Sequence, residues 1–446
     1  MKYRLLASLT LIACFTFTDL NSQVSQSSTV SQAGDSLTLK SIIGDIIKNH
    51  PTVKGAEEAL NAAEARIGMA KTGYLPNIDA AVNYSNIGPV IKITIPIPGF
   101  SSSFQLYPQN NYSAAVNYKQ TIYDFGRTKQ NIQIENENRD LAVMTIEQVK
   151  QRMSMAAVNN FFTLSFLQEA IVIKDQELDN LNNHLRFVEK KQATGSATDF
   201  ELLTTQVRIT NAESQKVDLQ TALKVQQAYL NSLLGLPETS TPVVKKELES
   251  AGPSLIQDSL LAYAYRNRDE VLMNQKKLTI AEMRYEIIKT LNKPYLGFMA
   301  SGGAKNGYLP NLDQARMNYV VGVGLSVPIF DANKTKFNLQ QSKVAINSIN
   351  YESETTKRSV SSEVTQAEAY VTSASQKVKQ FEMMLKQAEK AYSLAEVSFK
   401  AGTITNLDLL DSGTAVAQAR LLLLKAKIDY AAGIYSLKAA LGERLY

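Results

Sequence analysis

Few side chains in this chain of 446 residues could carry chemistry, and the most suggestive are carboxylates. Asp408 and Asp411 stand three apart, a spacing that puts two side chains on one face of a helix. Such a pair can be two solvated acids in the first turns of a helix, where they suit its dipole. Other chemistries lack material. The two histidines, His50 and His184, lie far apart in sequence, which argues against a His-built metal site or proton relay. Both read as structural residues. The single cysteine, Cys14, excludes a disulfide scaffold and a Cys-based zinc site. There is no Ser/His/Asp set, no metal-ligand spacing and no phosphate loop. No catalytic residue, no metal and no cofactor is expected.

The 47 basic and 42 acidic residues are interspersed, with a formal charge of +5 and no basic block of the kind nucleic-acid binding needs. At 20% charged and 44% hydrophobic, the chain is not disordered by composition. Lys2 and Arg4 precede an apolar run from Leu5 to Phe17, the pattern of a secretory signal. Cleavage after residue 22 gives a signal peptide at 1–22. Leu11-Ile12-Ala13-Cys14 resembles a lipobox, which would instead make 1–13 the signal and Cys14 a lipidated residue. Residues 23–36 read as a polar leader. Beyond the signal no run of 18 apolar residues appears, so no helical membrane span is expected.

The elements that must position the acids emerge from the placement of glycine and proline. Residues 127–194, 196–234 and 329–401 contain neither. Uninterrupted helices of the longer kind would reach roughly 100 Å. Heptads run through both long stretches. In the first they are Leu164, Leu167, Ile171, Lys174, Leu178, Leu181, Leu185 and Val188. In the second they are Val378, Phe381, Leu385, Ala388, Tyr392, Ala395 and Phe399. A shift of 207 residues places Asp124 on Asp331, Gly195 on Gly402 and Leu234-Gly235 on Leu441-Gly442, which marks an internal duplication. The same shift makes Glu201 the counterpart of Asp408. Upstream, Tyr74 aligns with Tyr295, which implies about 14 extra residues in the first copy, within Ile87–Asn110.

The expected organisation is a first repeat at 37–236, with a helix, a β-hairpin about 74–121, a long helix 124–194 and a helix 196–234. A linker at 237–257 follows. The second repeat, 258–446, has a helix, a hairpin about 294–327, a long helix 329–401 and a helix 403–441. The strands alternate. Ile78, Ala80, Val82 and Tyr84 face away from Asn77, Asp79, Asn83 and Ser85, and Tyr112, Ala114, Val116 and Tyr118 repeat the pattern. Period-two strands of this length fit a transmembrane barrel. Four strands cannot close a barrel, and open edges are not tolerated in hydrocarbon. Two chains would supply a plugged eight-stranded barrel, and three would supply twelve strands and room for a water channel. The expected fold is thus a mixed α and β membrane protein. Its four strands per chain join a trimeric twelve-stranded outer-membrane barrel, and its coiled-coil helices form a periplasmic α-barrel.

At this point the chain resembles the TolC-like outer-membrane efflux proteins. The likeness is carried by Tyr74-Leu75-Pro76, by Gln120 to Arg127 (QTIYDFGR), by Val327-Pro328-Ile329-Phe330-Asp331, and by the tips Ala193-Thr194-Gly195 and Ala401 to Asp411. The resemblance implies a homotrimeric channel-tunnel of a tripartite efflux or type I secretion system, in the outer membrane of a Gram-negative bacterium. It would be a passive duct for small molecules or peptides. Its partners would be outer-membrane lipid, a periplasmic membrane-fusion adaptor and an inner-membrane pump of RND, ABC or MFS type. It also implies that Asp408 and Asp411, with Glu201, line a periplasmic entrance ring, and that adaptors dock at tips built on Gly195, Gly402 and Thr403. The sequence departs from the family's best-known member at Phe399, where that member has tyrosine, and at Ile404, where it has arginine. A closed gate would then rest on apolar contacts. The rival readings are a periplasmic coiled-coil adaptor or a structural envelope protein. An adaptor would carry one hairpin and no full-length duplication, and a purely structural coiled coil would lack the alternating strands.

Overall fold

The computed structural model describes residues 36–97, 100–246 and 257–446. The signal, Cys14 and most of the leader lie outside the described residues, as does much of the linker. The helices are α1 (Leu39–Asn49), α2 (Pro51–Lys71), α3 (Arg127–Ala193), α4 (Asp199–Leu234), α5 (Gln257–Asn267), α6 (Asp269–Lys289), α7 (Lys334–Lys400) and α8 (Asn406–Leu441). The strands are β1 (Asn77–Asn86), β2 (Lys92–Ile97), β3 (Phe100–Gln105), β4 (Asn110–Tyr123), β5 (Tyr295–Lys305) and β6 (Arg316–Ser326).

The duplication is literal in the helices. α3 and α7 are each 67 residues and α4 and α8 each 36, and both pairs keep the 207-residue shift. The helix preceding each strand pair is two helices, not one. His50-Pro51 breaks α1 from α2, because a proline cannot continue the hydrogen-bond ladder of the helix before it, and Arg268, whose backbone is extended, separates α5 from α6. α2 and α6, like β1 and β5, start 218 residues apart. The insertion in the first copy is therefore 11 residues rather than the 14 expected from aligning Tyr74 with Tyr295. Within it β2 and β3 pair as a separate hairpin.

β1, β4, β5 and β6 form one antiparallel sheet in that order. Register carries the apolar residues across it on one face. Val82 pairs with Ala114, Ala114 with Ala304, and Ala304 with Met317; Ile78, Tyr118, Ala300 and Val321 form a parallel row. The other face holds Asn83, Ser113 and Lys305, and Asp79, Asn117 and Ser301. Among the described residues nothing covers the apolar face: Val82 and Tyr319 are each 82% exposed. Contiguous apolar surface of this kind needs a lipid or protein partner.

Below the sheet the helices lie side by side. Near the strands the order is α2, α3, α6, α7; toward the tips it is α4, α3, α8, α7. The main core sits midway, where Phe161, Phe162 and Leu164 of α3 meet α1, Leu230 of α4 and Ile428 of α8. Linker residues take part: Val244 is buried there, and Leu37 bridges to it with bonds of 2.9 Å to each neighbour. One 18-residue stretch of α3 has a mean hydropathy of 1.3, but half of it is buried, so it serves packing. The lone polar heptad residue, Lys174, is buried and held by Glu177 at 2.5 Å and Gln215 of α4 at 2.8 Å. A buried polar residue in a coiled-coil seam fixes register at a cost in stability.

Two adjacent glycines test the sheet. A Cβ at Gly303 would lie 2.1 Å from the carbonyl oxygen of Ala114, whereas one at Gly302 meets nothing within 4 Å. Gly303→Ala is expected to force β4 from β5 and cost about 1–3 kcal/mol, seen as an earlier heat-induced gel shift of the folded protein. Gly302→Ala should leave that shift unchanged.

Candidate functional site at the helix tips

Each long helix reverses into its partner through the same construction. At the first tip Gly195 takes φ +73, its N–H bonds to Gln192 O at 2.9 Å, and Ser196 N–H bonds to Lys191 O at 2.7 Å. At the second, Gly402 takes φ +74, bonding Phe399 O at 3.1 Å, and Thr403 N–H bonds to Ser398 O at 3.0 Å. This pair of crossed bonds closes a helix end only with a left-handed residue, which glycine adopts without strain.

The sequence-assigned acids lie just beyond. Asp408 completes a capping box. Its carboxylate accepts from Thr405 N–H at 2.9 Å and from the Thr405 hydroxyl at 2.6 Å, while its own N–H bonds back to that hydroxyl at 3.2 Å. The Thr405 bonds hold its carboxyl below the ordinary range. Glu201 does the same with Thr198, each bond 3.2 Å. Thr-x-x-Glu and Thr-x-x-Asp are capping-box spacings, and that signal could have been read directly from the sequence. Asp411 is not free. It pairs with Arg208 of α4 at 2.6 Å. The duplication shift places Arg208 on Ala415, so no repeated residue type marks it out.

Phe399 is buried beside Phe187 and His184 of α3, with ring centres 6.1 and 5.4 Å away. Lys191 lies over both phenylalanines, at 5.0 and 4.8 Å. Ile404 is half-buried. The contacts near the gate residues are therefore not apolar alone. His184 Nε2 lies 2.6 Å from Asn406 Oδ1, and the Asn406 amide donates to Glu201 O at 3.2 Å and to the Thr205 hydroxyl at 3.3 Å. Asn406 and Thr205 are buried, so this network locks the second tip onto the first helix pair. Arg420 extends the lock, donating to Gln176 at 3.1 Å and to Glu389 at 2.9 Å. His184, expected to be merely structural, thus joins the two copies close to the tips. Within the subunit the structure brings Asp411, Glu201 and Phe399 into one cross-braced tip. Among the described residues no group of His, Cys, Asp and Glu could hold a metal ion.

The family described as "Outer membrane efflux protein" matches residues 42–236 and 260–443. The chain is similar to nodulation protein T of Rhizobium leguminosarum bv. viciae, at 22% identity over 87% of this chain and 78% of that protein. It is similar to outer membrane efflux protein BepC of Brucella suis biovar 1, at 19% identity over 92% of this chain and 87% of BepC. Its fold matches the outer membrane protein VceC of Vibrio cholerae with a TM-score of 0.74 at 16% identity, covering 92% of this chain and 97% of VceC.

The lowered carboxyl of Asp408 has a pH consequence. Its contribution to the tip is present above the ordinary carboxylate range and lost as pH falls through its lower folded value. Amide exchange of the first turn of α8, corrected for intrinsic rates, is expected to stay constant from about pH 7 to pH 5 and to accelerate below about pH 4. Asp408→Asn should abolish that step; an unchanged profile would show that the carboxylate plays no part.

Proposed function

Because this chain belongs to the outer membrane efflux protein family, we propose that three copies close one duct and that its narrow end is the ring of helix tips. The chain is an outer-membrane channel protein of efflux and secretion, not an enzyme. One observation carries the trimer. The sheet ends in two unpaired edges, β1 and β6, beneath an apolar face that runs unbroken across all four strands. In hydrocarbon those edges must pair. Pairing β6 of one copy with β1 of the next, three times, closes twelve strands around the polar face.

The helices then continue the lumen through the periplasm. Asp408, Asp411 and Glu201 of three subunits converge on its mouth, where carboxylates favour cations and repel anions. Each Asp411 pairs with Arg208 within its own subunit, so part of that field is neutralised until the tips move. The glycine turns at Gly195 and Gly402, with Thr403, present the docking surface for a periplasmic adaptor, and an inner-membrane pump of RND, ABC or MFS type supplies the energy. Phe399 and Ile404 line the gate's approach. The leader with Cys14 belongs to the same proposal, as an export signal and, where cleaved before Cys14, a lipid anchor in the outer membrane.

The purified full-length protein in a planar bilayer tests this reading. Small cation-selective openings are expected, blocked by a trivalent cation on the tip side, with block weakened roughly tenfold or more in Asp408→Asn/Asp411→Asn. Conductance without block would keep the duct and remove the ring. Absence of an SDS-resistant oligomer of three subunits would remove the trimer.

A further inference from the structure

At the barrel end farthest from the helices, Lys305 and Arg316 are direct cross-strand partners, the last residues of β5 and the first of β6. Both lie on the polar face. Lys305 shares its register with Ser113, and the face continues through Gly303, Ser301 and Asn117, away from the row of Ala304 and Met317. Like charges directly opposite each other disfavour a strand pair, with Cβ atoms about 5 Å apart. Among the described residues neither cation forms an ion pair, both are exposed, and Lys305 has only the ring of Tyr308, at 5.3 Å. The nearest acid in sequence is Asp313 of the same turn, whose backbone oxygen accepts from Tyr112 OH and whose carboxylate pairs with neither cation. The one acid of the polar face, Asp79, sits at the opposite end of β1 and is bonded by Asn117 at 2.8 Å.

We propose that Lys305 and Arg316 form a binding site for a multivalent, phosphate-bearing anion at the outer end of the lumen. An anion between the two side chains converts their repulsion into two charge-assisted contacts, with the guanidinium able to hold two oxygens at once. The pair is complete within one chain. Its ring of six cations around the exit rests on the trimer reading above. The duct would then carry opposite fields at its two ends, acidic at the tips and basic at the exit, and an asymmetric fixed charge along a pore makes its current depend on the sign of the voltage.

The test uses the full-length protein in bilayers of zwitterionic phosphatidylcholine, so that no lipid supplies the anionic phosphate. Inorganic pyrophosphate added to the barrel side should block open channels at low salt, and the current should rectify in symmetric potassium chloride. Lys305→Gln/Arg316→Gln, checked to run as the same SDS-resistant oligomer, should raise the half-blocking concentration roughly tenfold or more and flatten the rectification. Lys119→Gln, on the same face at the other end of β4, should leave the pyrophosphate block unchanged. Conducting wild-type channels indifferent to pyrophosphate would overturn the site while leaving the duct intact, as would equal block in the double variant. Absence of conductance together with absence of a stable oligomer would instead overturn the trimer reading. Block and rectification present in phosphatidylcholine but lost when anionic phosphatidylglycerol is added would show that lipid headgroups outcompete a soluble anion at the site and would overturn the soluble-anion assignment.

Discussion

A backbone polar group in hydrocarbon has nowhere to turn except another backbone group, and most of this molecule follows from that. Each half of the chain supplies only two long strands to the main sheet, and the two halves together supply four. Such a sheet is stable in a bilayer only as an arc of something larger. The alternation of side chains then fixes which face is lipid and which is water, because shifting the register by one residue would exchange them. Both long helices leave from the same end of the sheet, since β4 and β6 both run toward it.

The passage from strand to helix is where two architectures must meet, and it is built twice alike. Asp124 accepts from Thr128 N–H at 2.7 Å, from its hydroxyl at 2.5 Å and from Gly126 N–H at 3.1 Å. Asp331 accepts from Thr335 N–H at 2.9 Å. In each case the two residues after the aspartate take positive φ, Phe125 and Gly126 in one copy and Ala332 and Asn333 in the other. Such strain in residues with a side chain persists only where the surroundings enforce it. Burial raises the Asp124 carboxyl, but the bonds from Thr128 and Gly126 outweigh it and hold the group below its ordinary range. Asp331 is held low by the Thr335 bonds. Both caps stay charged at neutral pH and face the positive ends of very long helices.

These features explain what was legible in the sequence. Spacing of glycine and proline, heptads and alternation are local signals, and the duplication doubled each of them, so fold class, strand faces, long helices and tips could be read. Contacts between the copies were not legible. Arg208 with Asp411, His184 with Asn406, and Lys191 over Phe399 join residues whose duplicates are of other types, so nothing repeated in the sequence to mark them. The β2–β3 hairpin was hidden for the converse reason. It lies in the segment unique to the first copy, and Pro96 sits inside β2, in a position tolerated in a strand with a partner on one side only.

The loss of symmetry between the copies has a geometric sense. α3 of the first copy and α8 of the second pack against each other in the middle of the subunit, which leaves α4 on one flank and α7 on the other. Near the tips both flanks are apolar and exposed: Phe200, Leu203 and Val207 on α4, and Leu394 and Val397 on α7. The two flanks are different surfaces, so one cannot pair with itself across a twofold axis. They can only meet head to tail, the α7 flank of one subunit against the first-copy flank of the next. A head-to-tail contact ends in a closed ring when its rotation divides a full turn, and otherwise in a filament. The sheet imposes the same rule, since β6 must find β1 of a neighbour. Strand edges and helix flanks thus call for one rotation, and a ring that closes the barrel closes the helical tunnel as well. The cross-braces at the tips keep the two copies of one subunit from parting, which makes the subunit, rather than the single repeat, the unit that turns about that axis.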